Sequence, residues 1–163
     1  MRRPFIFSLI VALGVTIDLL SKWLVFSRLY AGEAYKLWPG VLHIAIAENR
    51  GVAFSMLENH RPVIYCVSLT AIAALVWIYW RSHTAGAKLL LTAVCLLLIG
   101  AIGNLIDRLF FGHVRDFIDF VPQLPLVGHW AVFNIADICI CVGVGMFLLA
   151  ELFTKPAPMT QSS

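Results

Sequence analysis

Charge is scarce in this sequence. Of 163 residues, 13% are Asp, Glu, Lys or Arg, against 61% hydrophobic. Soluble domains carry about 25% charged residues, so that class is excluded. The usual motifs of metal and cofactor chemistry are missing as well. There is no C-x-x-C, no Cys/His spacing suited to zinc, no H-E-x-x-H, no P-loop and no internal repeat. No metal or cofactor is expected. No Ser/His or Cys/His arrangement suggests a nucleophile–base pair either. The formal charge of +3 is too small to argue for nucleic acid, and fits a few basic anchors at a membrane surface.

What is present is hydropathy, with a mean of +0.89. Apolar runs of about twenty residues mark bilayer spans. Four are expected, at about 5–26, 62–80, 89–111 and 131–153, in a single integral membrane domain covering 1–163. The arginines at 2 and 3 precede the first run, which reads as an uncleaved span rather than a removed signal peptide. All four cysteines fall in apolar segments and read as small buried side chains. The second span carries no charge and ends in Trp77, Tyr79 and Trp80, an interfacial belt. In the first connection, 27–61, Leu42, Ile44 and Ile46 alternate with His43, Ala45 and Ala47, which predicts a short strand. Asn49 and Gly51 then read as a turn, and His43 and His60 as ordinary loop or surface histidines. The second connection, 112–130, is made irregular by Pro122 and Pro125, with Trp130 at an interfacial position. Gly143 and Gly145 read as helix-packing residues.

The polar residues within this apolar frame are the informative ones. Ionisable groups in or beside membrane spans are costly and are functional-site candidates by default. Asp18 and Lys22 share a helix face at i and i+4. Gly100, Gly103, Asn104, Asp107 and Phe111 fall on one face of the third span, with Arg108 at its margin. Asn134 and Asp137 lie in the first two turns expected of the fourth. Four spans alternate direction, so parity brings Asp18, Lys22, Asn104, Asp107, Arg108, Asp116 and Asp137 to one membrane face. Two carboxylates from different segments suggest water activation, one ionised and one protonated. A small proton or ion transporter is the alternative, but it calls for polar residues through the membrane depth, and spans two and three are apolar through their inner halves. A non-catalytic scaffold binding a partner helix gives no reason for the aspartates.

Five motifs in order carry a resemblance. They are Asp18-x-x-Ser21-Lys22; Asn49-Arg50-Gly51 with Ala53-Phe54-Ser55; Gly103-Asn104-x-x-Asp107-Arg108; Gly112-x-Val114-x-Asp116-Phe117-Ile118; and Phe133-Asn134-x-Ala136-Asp137. The chain resembles the bacterial lipoprotein signal peptidases (signal peptidase II) over nearly its whole length. The resemblance implies an all-α membrane protein of four transmembrane helices with a small extracytoplasmic β/loop subdomain. It implies an aspartic endopeptidase of the inner membrane that cleaves prolipoproteins before a diacylglyceryl-modified cysteine. Asp116 and Asp137 match the catalytic pair, and Asp18, Lys22, Asn49, Asn104, Arg108 and Asn134 match site-lining positions. Asp107 is expected to support the site through a salt bridge, and Asp119 to be a loop carboxylate. The implied partners are lipidated precursors and membrane lipids, and a monomer is the expectation.

Parity with the arginines at 2 and 3 puts both termini in the cytoplasm. Reporter fusions after position 60 and after position 123 should therefore report outside, and fusions near 84 and at 163 inside. An inside signal near 123 would separate Asp116 from the outer face and sink a site placed there.

Overall fold

The structure is a computed structural model, and it describes residues 2–51, 60–83, 87–121 and 131–153. Ala53 to Ser55, Pro122, Pro125, His129, Trp130 and the tail from 154 lie outside the described residues. Among those described, four helices are long and apolar enough to cross a membrane. They are α1 (Arg2–Phe26), α2 (Arg61–Ser82), α3 (Lys88–Phe111) and α4 (Ile135–Phe153). In hydrocarbon every backbone N–H and C=O must be satisfied within its own segment, which is why apolar runs of this length become helices.

The other three helices pack on α3. Half of its most apolar stretch is buried, against under a fifth in each of the others, so α3 is the centre of the bundle. Small residues make the approaches close. A Cβ on Gly100 would overlap the Ala136 carbonyl oxygen of α4, and one on Gly103 would lie 2.5 Å from the Asp18 carboxylate of α1. The outer faces carry the large apolar side chains, among them Phe5, Leu13, Leu20, Val67, Leu148 and Leu152. These are the lipid-facing surfaces.

The connections supply three strands, β1 (Ala34–Trp38), β2 (Leu42–Asn49) and β3 (Val114–Phe120), in an antiparallel sheet of order β1-β2-β3. The predicted strand at Leu42–Ala47 is there, two residues longer. β3 has no counterpart in the sequence reading, because the prolines after it dominate that stretch. Gly112 closes α3 with a φ of 77°, a left-handed cap that returns its N–H to the Arg108 carbonyl. Two residues later the chain enters β3. A register shift in β2 between Ile44 and Ala47 leaves an extra residue beside Phe117, next to Asp116. On its other edge β3 is bridged to Phe133, through Ile118 N–H to Phe133 O at 2.7 Å and Phe133 N–H to Ile118 O at 3.0 Å. That bridge draws the entry of α4 against β3.

Several expectations change. α4 starts at Ile135, not at Ala131, because the bridge through Phe133 keeps the preceding residues extended. Of the cysteines only Cys95 is buried; Cys66 and Cys141 lie on outward faces. Gly143 packs against Leu97, but Gly145 faces open space and packs nothing. Phe111 is exposed rather than part of the inward face. His43 is not a surface histidine: its Nδ1 lies 3.8 Å from Asp119 Oδ2, and both side chains are largely covered. Asp119 sits within β3 rather than in a loop.

Gly100→Ala should destabilise by about 1–3 kcal/mol, because the new methyl group meets backbone that cannot yield cheaply. Gly145→Ala, in open space, should be neutral or slightly stabilising. Thermal unfolding of both variants in one detergent checks this. Equal melting temperatures would mean that α3 and α4 do not approach as described.

Candidate active site

The polar residues meet where α1 and α3 end and α4 begins. At the centre is Lys22, fully buried. Its ammonium lies 2.7 Å from Asp18 Oδ2 and 3.3 Å from Asp107 Oδ2, and donates to Asn104 Oδ1 at 3.1 Å. An ammonium has three donors, and here each has an acceptor. Asp18 continues the chain of contacts: its Oδ1 accepts the Ala136 N–H at 2.9 Å. That N–H is one of the orphan donors in the first turn of α4.

Asn134 and Asp137 form a reciprocal cap on the same turn. The Asn134 side chain accepts the Asp137 N–H at 3.0 Å, and Asp137 Oδ2 accepts the Asn134 N–H at 3.2 Å. Asp137 Oδ1 also accepts Asn104 Nδ2 at 2.8 Å. Helix capping and site geometry are thus the same set of bonds. The Asn134 amide also reaches across to Asp116 Oδ1, at the start of β3. Asp116 is 2% exposed.

Burial pushes the Asp116 carboxyl up to about 7, and the nearby Asp137 charge adds to this. Hydrogen bonds from Asn134 and Asn49 and the Lys22 charge pull the other way, and lose. Arg108 lies within the field of Asp137, Asp116 and Asp107. Its guanidinium holds the Gly51 carbonyl at 2.8 Å, which ties the chain just after β2 to α3.

All eight residues proposed from the sequence, Asp18, Lys22, Asn49, Asn104, Arg108, Asp116, Asn134 and Asp137, therefore come to this end of the bundle. Asp107 joins them. Asp119 does not: three residues from Asp116 in a strand, it points to the opposite face, toward His43. Arg50 turns out to Glu48 at 3.1 Å. Arg115 was missed, although it is 7% exposed and bonded to Asp107. Its signal was its place beside Asp116, eight residues after an aspartate. Tyr65 was missed too; its hydroxyl donates to the Arg108 carbonyl at 3.0 Å.

A cavity of about 410 Å³ opens beside this cluster, between α2, α3 and α4. Asn49, Asn104, Arg108 and Asp137 line its polar end, and Val67, Ala71, Ala101 and Ile140 continue it along the spans. A larger cavity of about 520 Å³ lies between α1, α2 and α3, lined by Phe7, Val11, Val15 and Leu98. It contains none of the clustered charges, so size does not identify the site here; chemistry does.

Fold and site together define a class, a multi-pass membrane enzyme with a buried polar site at one end of its helices. A family model described as "Signal peptidase (SPase) II" matches residues 10–153. The lipoprotein signal peptidase of Syntrophotalea carbinolica is 42% identical over 149 residues, 90% of each chain. That of Bacillus pumilus is 36% identical over 146 residues, 90% of this chain and 92% of the other. A solved structure described as "Bacterial membrane enzyme structure by the in meso method" superposes with a TM-score of 0.80 at 27% identity, over 96% of this chain and 93% of that one. The chain belongs to the signal peptidase II family, and is a peptidase of bacterial membranes.

The raised Asp116 carboxyl has a consequence for stability. Between about pH 4 and about 7 the folded protein holds a proton that the unfolded chain has released. Stability from this group is therefore full below the unfolded value and lost as pH rises toward 7. Asp116→Asn removes that loss. The melting temperature of Asp116→Asn minus that of the parent should grow with pH through this window. A constant or shrinking difference would mean that Asp116 ionises normally.

Proposed function

We propose that this protein removes signal peptides from prolipoproteins, cutting before the diacylglyceryl-modified cysteine by an aspartic mechanism at Asp116 and Asp137. The observation that carries this reading is the linked pair itself. One carboxyl is sealed in and pushed up to about 7; the other is half-buried and lines a cavity that runs from the polar cluster into the spans. Relatives named lipoprotein signal peptidase supply the substrate class.

In this reading Asp116 carries the proton and Asp137 is ionised. Both oxygens of Asp137 accept N–H donors, which suits a carboxylate. Asp137 takes a proton from water as the water oxygen attacks the scissile carbonyl carbon. Asp116 gives its proton to the carbonyl oxygen, and a tetrahedral diol forms. Return of a proton to the amide nitrogen lets the C–N bond break. Arg108 and Asn49, at the polar end of the cavity, suit hydrogen bonding to substrate backbone. The apolar part of the signal peptide remains in the bilayer alongside α2 and α4. The termini lie in the cytoplasm and the site near the outer face. Among the described residues the buried charged groups gather at one end of the bundle, which gives no support to a transport path.

Purified protein and a lipidated precursor test this directly. Asp116→Asn and Asp137→Asn should each lower kcat by at least about a thousandfold while the protein still folds. The double variant should be no worse than either, because the pair acts as a unit. Asp119→Asn, on the opposite face of β3, should be mild. Metal chelators should leave activity standing, and an unlipidated precursor should be cut poorly. The pH profile should be bell-shaped, with the raised carboxyl setting the alkaline limb. Activity lost to a chelator and restored by metal would refute the two-aspartate chemistry.

A further inference from the structure

Arg115 does not line the cavity. It nevertheless pairs with Asp107 through two side-chain bonds and its backbone N–H. Nη2 and Nε donate to Asp107 Oδ1 at 2.7 and 3.1 Å, and the Arg115 backbone N–H donates to Asp107 Oδ2 at 3.0 Å. The guanidinium also lies over the Phe111 ring at 4.1 Å, with Phe26 at 5.9 Å. Three hydrogen bonds and one ring contact from α3, with one ring contact from α1, thus fasten the residue immediately before Asp116.

The charges around Asp116 can be counted element by element. α1 brings Asp18 and Lys22, α3 brings Asp107 and Arg108, and α4 brings Asp137. β3 brings Arg115 and Asp119, the latter turned away from Asp116 toward His43 of β2. Glu48 of β2 pairs in register with Arg115, but its carboxylate is taken up by Arg50 at 3.1 Å, with His113 3.8 Å away. α2 contributes the Tyr65 hydroxyl and, at Gly112, the exposed Arg61. The connected cluster therefore holds four carboxylates, Asp18, Asp107, Asp116 and Asp137, against three cations, Lys22, Arg108 and Arg115. It is neutral when it holds one proton.

We propose that Arg115 is a positioning residue for the reaction: through Asp107 it anchors the start of β3, and it supplies the third cation that leaves the buried cluster short of neutrality by a single proton. This rests on the two-aspartate reading. Without Arg115 the Asp107 charge is left with Lys22, which Asp18 already shares. One uncompensated negative charge then stands behind Asp116 and Asp137, and both protonated forms are favoured. A unit charge about 10 Å away, at an effective dielectric of about 20, moves a titration by about one unit.

The test is the pH profile of kcat/KM for the full-length protein on a lipidated precursor. Arg115→Gln should move both limbs about one unit to higher pH. Asp107→Asn should move them to lower pH. The Asp107→Asn/Arg115→Gln double variant removes one charge of each sign and should bring the limbs back near those of the parent, whatever its rate. Arg115→Lys keeps the charge but not the fork, and should lower kcat with the limbs in place. A purely structural role would change rates without moving limbs in opposite directions. Unmoved limbs in Arg115→Gln overturn the proposal. If that variant does not fold, a double variant whose limbs stay with those of Asp107→Asn overturns it equally. Full activity of Asp116→Asn, read separately, would instead overturn the two-aspartate reading.

Discussion

The buried ammonium of Lys22 is the interaction on which the site depends. Taking a cation out of water into a membrane-embedded bundle costs several kcal/mol unless its partners are in place. Here they come from two helices: Asp18 on its own turn of α1, Asp107 and Asn104 on α3. Asp18 in turn holds an N–H of the first turn of α4, and Asn104 holds Asp137. A single charged group therefore specifies how three helices meet. Removing it would leave Asp18 buried with the Ala136 N–H as its remaining bond among the described residues, while Asp107 would keep Arg115. Gly103 belongs to the same constraint, since any side chain there would displace Asp18 from its place.

Such a cluster is expensive, and it is confined to one end of the protein. The remainder of α3 is packed by Ala93, Val94, Leu98 and Ile99, with Tyr79 of α2 stacked on Phe7 of α1. That apolar half supplies the association the polar half cannot. The division matches the proposed chemistry: a signal peptide is itself an apolar helix with a polar cleavage region, and the cavity beside α3 is apolar along the spans and polar at its end.

The three-stranded sheet has a mechanical part in this. β3 carries Asp116 in at its buried start, held by β2 on one edge and by Phe133 on the other. One residue beyond Phe133 the chain becomes Asn134, which caps α4 and bonds to Asp116. The two proposed catalytic carboxylates come from different elements, yet one bridge and one asparagine connect them. A site held this way is pre-organised by backbone bonds rather than by side-chain contacts alone.

The four spans were legible because a bilayer allows few alternatives to a helix for a long apolar run. Most of the eight residues proposed for the site stood out because polar groups in or beside such runs need a reason; Asn49, which local pattern reads as a turn, was singled out only by the five ordered motifs. Local pattern could not show β3, since Arg115, Asp116 and Asp119 give it no apolar alternation, and its two faces serve different partners. It could not separate Asp116 from Asp119 without the resemblance; only the strand, by turning alternate residues to opposite faces, does so physically. Nor could it show that Arg115 closes on Asp107, that His43 faces Asp119, or that α4 waits until Ile135 to begin. Each of these depends on which segments pass one another in space, and spacing along the chain carries no information about that.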